Sequence, residues 1–279
     1  MSGVTAKRST RVGINTLGVV IALIWIFPVY WMVNTAFLPM DKVRAQTPTF
    51  APFGGDLSAF GRVLTPNFFN SMKLSLSVTL IVVAVALVFA FLSALAVSRF
   101  RFAGRKGFIL MILVVQMIPA EALFISQYKM LQGWNLLNSI AGLSLVYVAA
   151  VLPFTVWMLR GFVDGIPADL EQAAMIDGCS RSKAFFKITF PLLAPGLVAS
   201  GVYAFLQAWN EFTLATVVMS PSNQTLPLWL RGLAVVSNKA VDWPAVMAGA
   251  VLVAVPVIIF FMLVQGRMTS GLVSGAVKG

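Results

Sequence analysis

Six stretches of this 279-residue chain are apolar for about the length a helix needs to cross a lipid bilayer, and that repetition limits the fold more than any motif does. They cover residues 13–37, 71–98, 107–127, 140–159, 196–219 and 245–265. A helix rises ~1.5 Å per residue, so ~20 residues span the ~30 Å hydrocarbon core. Inside that core no water is available to pair with backbone N–H and C=O groups, so each spanning segment must satisfy its own, as a helix does. Composition agrees. Hydrophobic residues make up 59% of the chain and charged residues 10%, with a mean hydropathy of +0.91, against roughly a quarter charged in a soluble domain. The predicted fold is all-α: a polytopic membrane protein of six transmembrane helices.

The cations set an orientation. With the N-terminus in the cytoplasm, the inside holds Lys7, Arg8, Arg11, Arg99, Arg101, Arg105, Lys106, Arg160, Arg181, Lys183, Lys187, Arg267 and Lys278, thirteen of the twenty Lys and Arg residues. This is the asymmetry of the positive-inside rule, and it predicts both termini in the cytoplasm. The net charge of +11 does not indicate nucleic-acid binding, because the cations flank apolar spans instead of forming one basic face. Lys7, Arg8 and Arg11 before an apolar run resemble a secretory leader, but the run exceeds the ~7–15 residues of a leader core and no small-residue cleavage pattern follows. It reads as a retained first helix.

The expected organisation is a cytoplasmic N-terminus (1–12), a first helix (13–37), an external loop (38–70), a transmembrane core (71–266) that includes a cytoplasmic loop (160–195), and a cytoplasmic tail (267–279). The loop is punctuated by Pro39, Pro48, Pro52, Gly54, Gly55, Gly61 and Pro66, which break regular structure, with a short helix expected near 57–64. Pro28, Pro119, Pro153 and Pro256 fall inside predicted spans. Each is a static kink or a hinge, since neighbouring helices can satisfy the carbonyl that proline frees. The tail, with three glycines and Ser274 in its last nine residues, has little to bury and is expected to be disordered.

Absences narrow the chemistry. The chain has no histidine and one cysteine, Cys179, which excludes His- or Cys-rich metal sites and an internal disulfide. Cys179 reads as a small residue in a turn. No Gly-Lys dipeptide occurs, so the phosphate-cradling loop GxxxxGK[ST] is missing. No catalytic residue, metal or bound cofactor is predicted.

One charged island, residues 160–195, interrupts the apolar pattern. Two residues before DLEQAAMIDGCSRSKAFFKITFPLLAP, residues 169–195, Pro167 opens a helix whose first turn carries Asp169 and Glu171, where acids complement the helix dipole. Ala173 and Ala174 are small. Gly178, after Asp177, stops the helix by taking the left-handed conformation. Ser180 caps a second short helix with Ala184, Phe185 and Ile188 as its apolar stripe, and Pro191 is expected to end it. Such an island reads as a docking surface for a protein outside the bilayer, or as an amphipathic helix on lipid headgroups.

These residues resemble the EAA loop of ABC importer permeases, Glu-Ala-Ala, three residues, Gly, nine residues, Ile-x-Leu-Pro. Ala173, Ala174, Gly178, Ile188 and Pro191 match at that spacing, while Gln172 stands in the glutamate position, with Glu171 before it, and Phe190 replaces leucine. SRFRFAGRK at 98–106, AWNEF at 208–212 and the tail GLVSGAVKG resemble the smaller, MalG-type permease of maltose-type carbohydrate importers. The resemblance implies a subunit that pairs with a homologous second permease, sits on two ATPase subunits that hold ATP and Mg, and receives a di- or oligosaccharide from an extracytoplasmic binding protein at a bacterial cell membrane. The island then becomes the ATPase-coupling loop, formed by Glu171, Gln172, Ala173, Ala174, Asp177, Gly178, Ile188 and Pro191. The tail is implied to touch the ATPase dimer.

Substrate-pathway candidates are Asn210, Glu211, Trp209, Tyr203, Tyr147 and Glu121. Aromatic faces cover the apolar patches of a sugar ring and amides or carboxylates meet its hydroxyls; Trp157 has the same character. A carboxylate in the fifth span is costly unless it faces a cavity or is paired. Asn210 and Glu211 therefore read as a sugar contact, an outer gate or a binding-protein contact, or else as a packing site with Glu211 paired to a basic group. Glu121 marks a cavity wall or a helix end. An ion-driven secondary transporter would be equally helical but needs more spans or embedded relays, and a scaffold would need no island. A permease for a non-sugar solute, such as an amino acid or phosphate, is the remaining alternative.

Overall fold

The computed structural model describes residues 8–51, 55–235 and 240–276, with side chains described from 13 to 266 apart from Ala120 and the gaps between those ranges. Lys7 and residues 277–279 lie outside the described residues. Thirteen α-helices follow one another: α1 (Arg8–Ala36), α2 (Met40–Val43), α3 (Ser58–Val63), α4 (Pro66–Arg99), α5 (Arg105–Gln116), α6 (Phe124–Gly133), α7 (Ile140–Asp164), α8 (Asp169–Ile176), α9 (Arg181–Ala184), α10 (Phe190–Asn210), α11 (Thr213–Val218), α12 (Leu226–Ala234) and α13 (Trp243–Ala276). No strand occurs among the described residues. Five helical segments are long and apolar enough to span a membrane by themselves, and α5 with α6 forms a sixth candidate.

Two compact units emerge. One comprises the residues up to Pro66 with Leu230–Val255, the other Asn67–Trp229 with the residues from Pro256 onward. In the first unit, α1 leaves every residue from 13 to 30 exposed. That surface suits lipid, whose acyl chains are as apolar as leucine. Only the end of α1 is buried, at Asn34, Thr35 and Ala36. There the predicted external loop folds back on it: the Asn34 amide donates to Thr49 O at 2.8 Å, the Tyr30 hydroxyl donates to Phe50 O, and Asp56 N donates to Phe37 O at 2.9 Å. The loop therefore holds α2 as well as the expected helix, here α3. Arg62 pairs with Asp242 at 2.9 Å.

The second unit is the helical core. Along α4, residues four apart are buried in one line, Leu74, Val78, Val82, Ala86, Ala90 and Ala94, and the small residues at its later turns let neighbouring backbones approach. Two apolar clusters divide the unit. One joins Leu131, Tyr147, Ala204 and Ala215 around the first half of α4; the other joins Ile112, Leu159, Val163 and Leu193 around Ala90 and Ala94.

This division decides what the third span is. The sequence suggested one helix over 107–127. Instead α5 packs in the cluster near the end of α4, α6 in the cluster near its start, and the two meet at a 91° bend. Pro119 precedes the single 3-10 turn Ala120–Leu123, so it sits in a break and not in a kinked continuous helix. Since α4 ends and α7 ends at the same cluster, the broken pair makes the crossing between them.

The fifth span also differs. Pro191 does not end the second island helix, because α9, a π-helical turn over Phe185–Thr189 and α10 form one segment, Arg181–Asn210. Pro191 sits in the first turn of α10, where its missing N–H and fixed φ are tolerated. The span then breaks at Glu211, well before residue 219. The fourth and sixth spans are longer than expected, and α13 continues to Ala276, so residues 271–276 are helical where composition alone suggested disorder.

Gly196 marks the tightest approach between α10 and α7. A Cβ there would lie 2.5 Å from Phe162 Cγ, so Gly196→Val is expected to lower stability by about 1–3 kcal/mol through overpacking. Gly161, whose added Cβ would meet nothing within 4 Å, provides the control. Gly161→Ala should leave the melting temperature unchanged or raise it, and equal losses for both variants in a detergent melt would refute the packing account.

Candidate functional site

The island is held to the helical core through Glu171. Its Oε1 accepts a hydrogen bond from Thr189 Oγ1 at 2.6 Å and lies 3.8 Å from Arg99 Nη2. The same Arg99 nitrogen donates to Ile166 O at 3.0 Å. Both charged side chains are about four-fifths buried, at 20% and 18% exposure. Glu171 thus ties the end of α4, the island and the entrance of α10 together. Arg99, which sequence reasoning treated as a topological charge, is a structural clamp, as is Thr189. No local pattern announces either, since 67 and 18 residues separate the partners.

With Glu171 turned inward, α8 presents other residues outward. Gln172 and Ala173 are exposed and Ala174 is half-buried. After Asp177, Gly178 has φ +87°; Gly178 N donates to Met175 O at 3.1 Å and Cys179 N to Ala174 O at 3.0 Å. These two bonds form a Schellman motif, which satisfies the last carbonyls of α8. Ser180 then accepts from Lys183 N at 3.4 Å as the cap of α9. Ile188 is half-buried and Pro191 exposed on the continuing helix. Leu170, Met175 and Ile176 are exposed, Ile176 at 87%. Beside them a groove of about 550 Å³ is lined by Arg99, Gln172, Arg181, Phe185 and Phe186 among others. The segment is thus anchored and charged, and its apolar tip is uncovered.

A second feature lies in the core. α10 ends at Asn210 and Glu211 takes an extended conformation, with φ −66° and ψ 128°. Its carboxylate folds onto the start of α11, Oε1 accepting from Leu214 N at 2.6 Å and Oε2 from Ala215 N at 3.1 Å. The Tyr147 hydroxyl donates to the same Oε2. An acid in this span is thus accommodated by orphan amides at a helix start, not by the basic group considered from sequence. The span breaks where the carboxylate can satisfy the new helix.

Next to this cap is a cavity of about 210 Å³, walled by Glu121, Tyr147, Tyr203, Gln207, Glu211 and Thr213 among others. Four of the six predicted pathway residues meet there. Trp209 does not; it is 1% exposed, stacks on Phe205 with ring centroids 5.7 Å apart, and is absent from the cavity wall. Asn210 is exposed and donates to Leu206 O at 2.9 Å. Trp157 also lies elsewhere, with the Arg160 guanidinium 5.5 Å from its ring. Gln207 was missed from sequence, although Tyr203, Gln207 and Glu211 recur every four residues and so share a helix face. Glu121 reaches the wall from the 3-10 turn after the α5 break. The cavity offers hydroxyls, an amide and carboxylates to a polar ligand. Among the described residues no group of His, Cys, Asp or Glu suits a metal ion.

Residues 86–272 match the family model described as binding-protein-dependent transport system inner membrane component. The chain is 40% identical over 277 residues to the diacetylchitobiose uptake system permease protein DasC of Streptomyces coelicolor, a match covering 98% of this chain and all of that one. It is 34% identical to the sulfoquinovosyl glycerol transport system permease protein SmoH of Agrobacterium fabrum, over 91% of this chain and 89% of the relative. The galactooligosaccharides transport system permease protein GanQ of Bacillus subtilis is 32% identical, covering 92% of both chains. A crystal structure of a bacterial ABC transporter involved in import of the acidic polysaccharide alginate contains a chain of the same fold, with a TM-score of 0.77 and 24% identity over 95% of this chain and 99% of that chain. The island, the broken spans and these matches lead to one assignment: the chain is an inner-membrane permease of the binding-protein-dependent transport family.

Proposed function

We propose that this permease is the transmembrane subunit of an ATP-driven importer that moves a di- or oligosaccharide into the cytoplasm by alternating access. DasC, SmoH and GanQ, whose names specify sugar or sugar-derivative transport, support the substrate class. In this reading two ATPase subunits bind ATP and Mg and perform the hydrolysis, a homologous second permease completes the pathway, and a binding protein delivers the sugar from outside. The permease itself does no chemistry and binds no cofactor. Both termini and the island face the cytoplasm.

The observation that carries the proposal is the exposed Ile176 tip of α8 on an island clamped by Glu171 and Arg99. A rigidly anchored helix transmits a partner's movement to the spans, and a mobile one would not. The clamp joins the island both to α4 and to the continuous α9–α10 segment, so a pull on α8 acts on two spans. Small Ala173 on the exposed face lets a partner surface come close. The groove beside α8 adds Arg181 and Gln172, polar groups suited to the rim of a protein interface.

The test is affinity purification of the tagged chain in mild detergent from cells that express its native neighbours. Mass spectrometry and an ATPase assay would follow. Recovery of a second permease and an ATPase, together with uptake of diacetylchitobiose, maltose or a galactooligosaccharide by the reconstituted complex, is the expected result. A folded chain recovered alone would overturn the proposal.

A further inference from the structure

The end of α4 remote from the island carries a second polar pocket, of about 230 Å³, whose walls include Asn67, Asn70, Ser222, Asn223, Gln224 and Trp229. None of its lining residues is charged. We infer that this pocket is a binding site for one ring of a neutral sugar, on the side of the permease opposite the coupling island.

Three observations support the assignment. First, the loop that forms one wall is fixed in place. Asn138 Oδ1 accepts from Ser220 N at 3.2 Å and Ser220 Oγ at 3.1 Å, Asn223 Nδ2 donates to Asn138 O at 3.3 Å, and Leu226 N donates to Ser75 Oγ at 2.8 Å. The pocket is therefore formed before any ligand arrives. Second, the side-chain amides of Asn67, Asn70 and Gln224 make no hydrogen bond among the described residues. Each offers donors and an acceptor at once, the pairing that a sugar hydroxyl requires because it also does both. An anion or an ammonium ion would find no countercharge on these walls. Third, Trp229, 7% exposed and packed on Phe68 with ring centroids 5.1 Å apart, adds an apolar patch to the wall for the C–H groups of a pyranose. The volume is below the ~300–1,000 Å³ of sites for drug-sized ligands, so one ring fits and a whole oligosaccharide does not.

This site shares no residue with the cavity around Glu211. α4 is 34 residues long, or ~50 Å at ~1.5 Å per residue; the amide pocket lies at its first turns and Arg99 at its last. If sugar is imported toward the island, as proposed above, the pocket is the place where the permease first takes a ring of the delivered sugar. The inference rests on that reading for its role, though not for its ligand class.

The test uses the complex that copurifies with the tagged chain, with Asn70→Leu and Gln224→Met, which preserve size and remove the amide. Binding of diacetylchitobiose, maltose and galactobiose is followed by saturation-transfer NMR, and sugar imported per ATP hydrolysed is measured in proteoliposomes. Each variant is expected to weaken binding roughly fivefold and the double variant roughly 25-fold, the loss of one and two hydrogen bonds. ATP hydrolysis should continue while sugar imported per ATP falls. Variants that bind and import like the wild type would overturn the pocket and leave the importer reading intact. A wild-type complex that imports no sugar, but binds one in a manner lost in the double variant, would overturn the importer reading and uphold the pocket. A change confined to affinity for the binding protein, or no sugar binding by the wild type, would also refute the pocket.

Discussion

Replacement of Glu211 by alanine is expected to destabilise the permease by roughly 2–4 kcal/mol, because it strips the cap from α11 and leaves buried donors without partners. Leu214 and Ala215, whose amides the carboxylate receives, are 4% and 0% exposed. The hydroxyl of Tyr147, a residue 2% exposed, points to the same oxygen. A thermal melt in detergent checks the expectation, and a midpoint within a degree of wild type would show that the cap is dispensable. Glu211→Gln keeps an acceptor and divides the two roles of the residue. A variant that remains folded and still transports identifies a structural cap; one that remains folded but loses uptake identifies a substrate or gating contact at the cavity.

Ile176→Asp should have the opposite pattern. At 87% exposure the side chain contributes almost nothing to the fold, so the melting temperature should stay within the small range of surface substitutions, about ±0.5 kcal/mol in stability. At an interface a central apolar residue is worth ~2 kcal/mol or more, and an unpaired buried carboxylate adds a desolvation cost. Copurification of the ATPase should therefore fall more than roughly tenfold, and ATP-driven uptake with it. Retained ATPase association in a well-expressed variant would remove α8 from the docking surface. Loss of association accompanied by unfolding would show instead that Ile176 supports the fold.

Much of this molecule was legible in the chain. Apolar length predicted the spans, and the Gly178 turn and the Ser180 cap were readable because they depend on residues within five positions of one another. The small pair Ala173 and Ala174 in the island was visible in the same way. The break in the third span was half-visible: Pro119 signalled a kink or hinge and Glu121 a cavity wall or helix end in an apolar run, but a bend needs a place to go. That place is provided by the separate clusters that receive Ile112 and Leu131. Pro191 misled for a related reason. Proline stops helices in their interior but suits their first turn, and whether a new helix starts there depends on the π-helical turn before it.

Which acid does what was settled only in three dimensions. Glu171 and Gln172 are adjacent in sequence, yet one is turned toward Arg99 and Thr189 and the other toward solvent. Trp209, Asn210 and Glu211 are consecutive, yet only Glu211 lines the cavity. The sequence by itself determined that the chain must be a helical membrane protein, since apolar length and backbone hydrogen bonding admit few other solutions, and it placed the charged island between spans. The tertiary structure decided which side of each helix is buried, where spans break and which polar groups share a pocket. Those outcomes depend on contacts between residues tens of positions apart, and a local pattern contains no record of them.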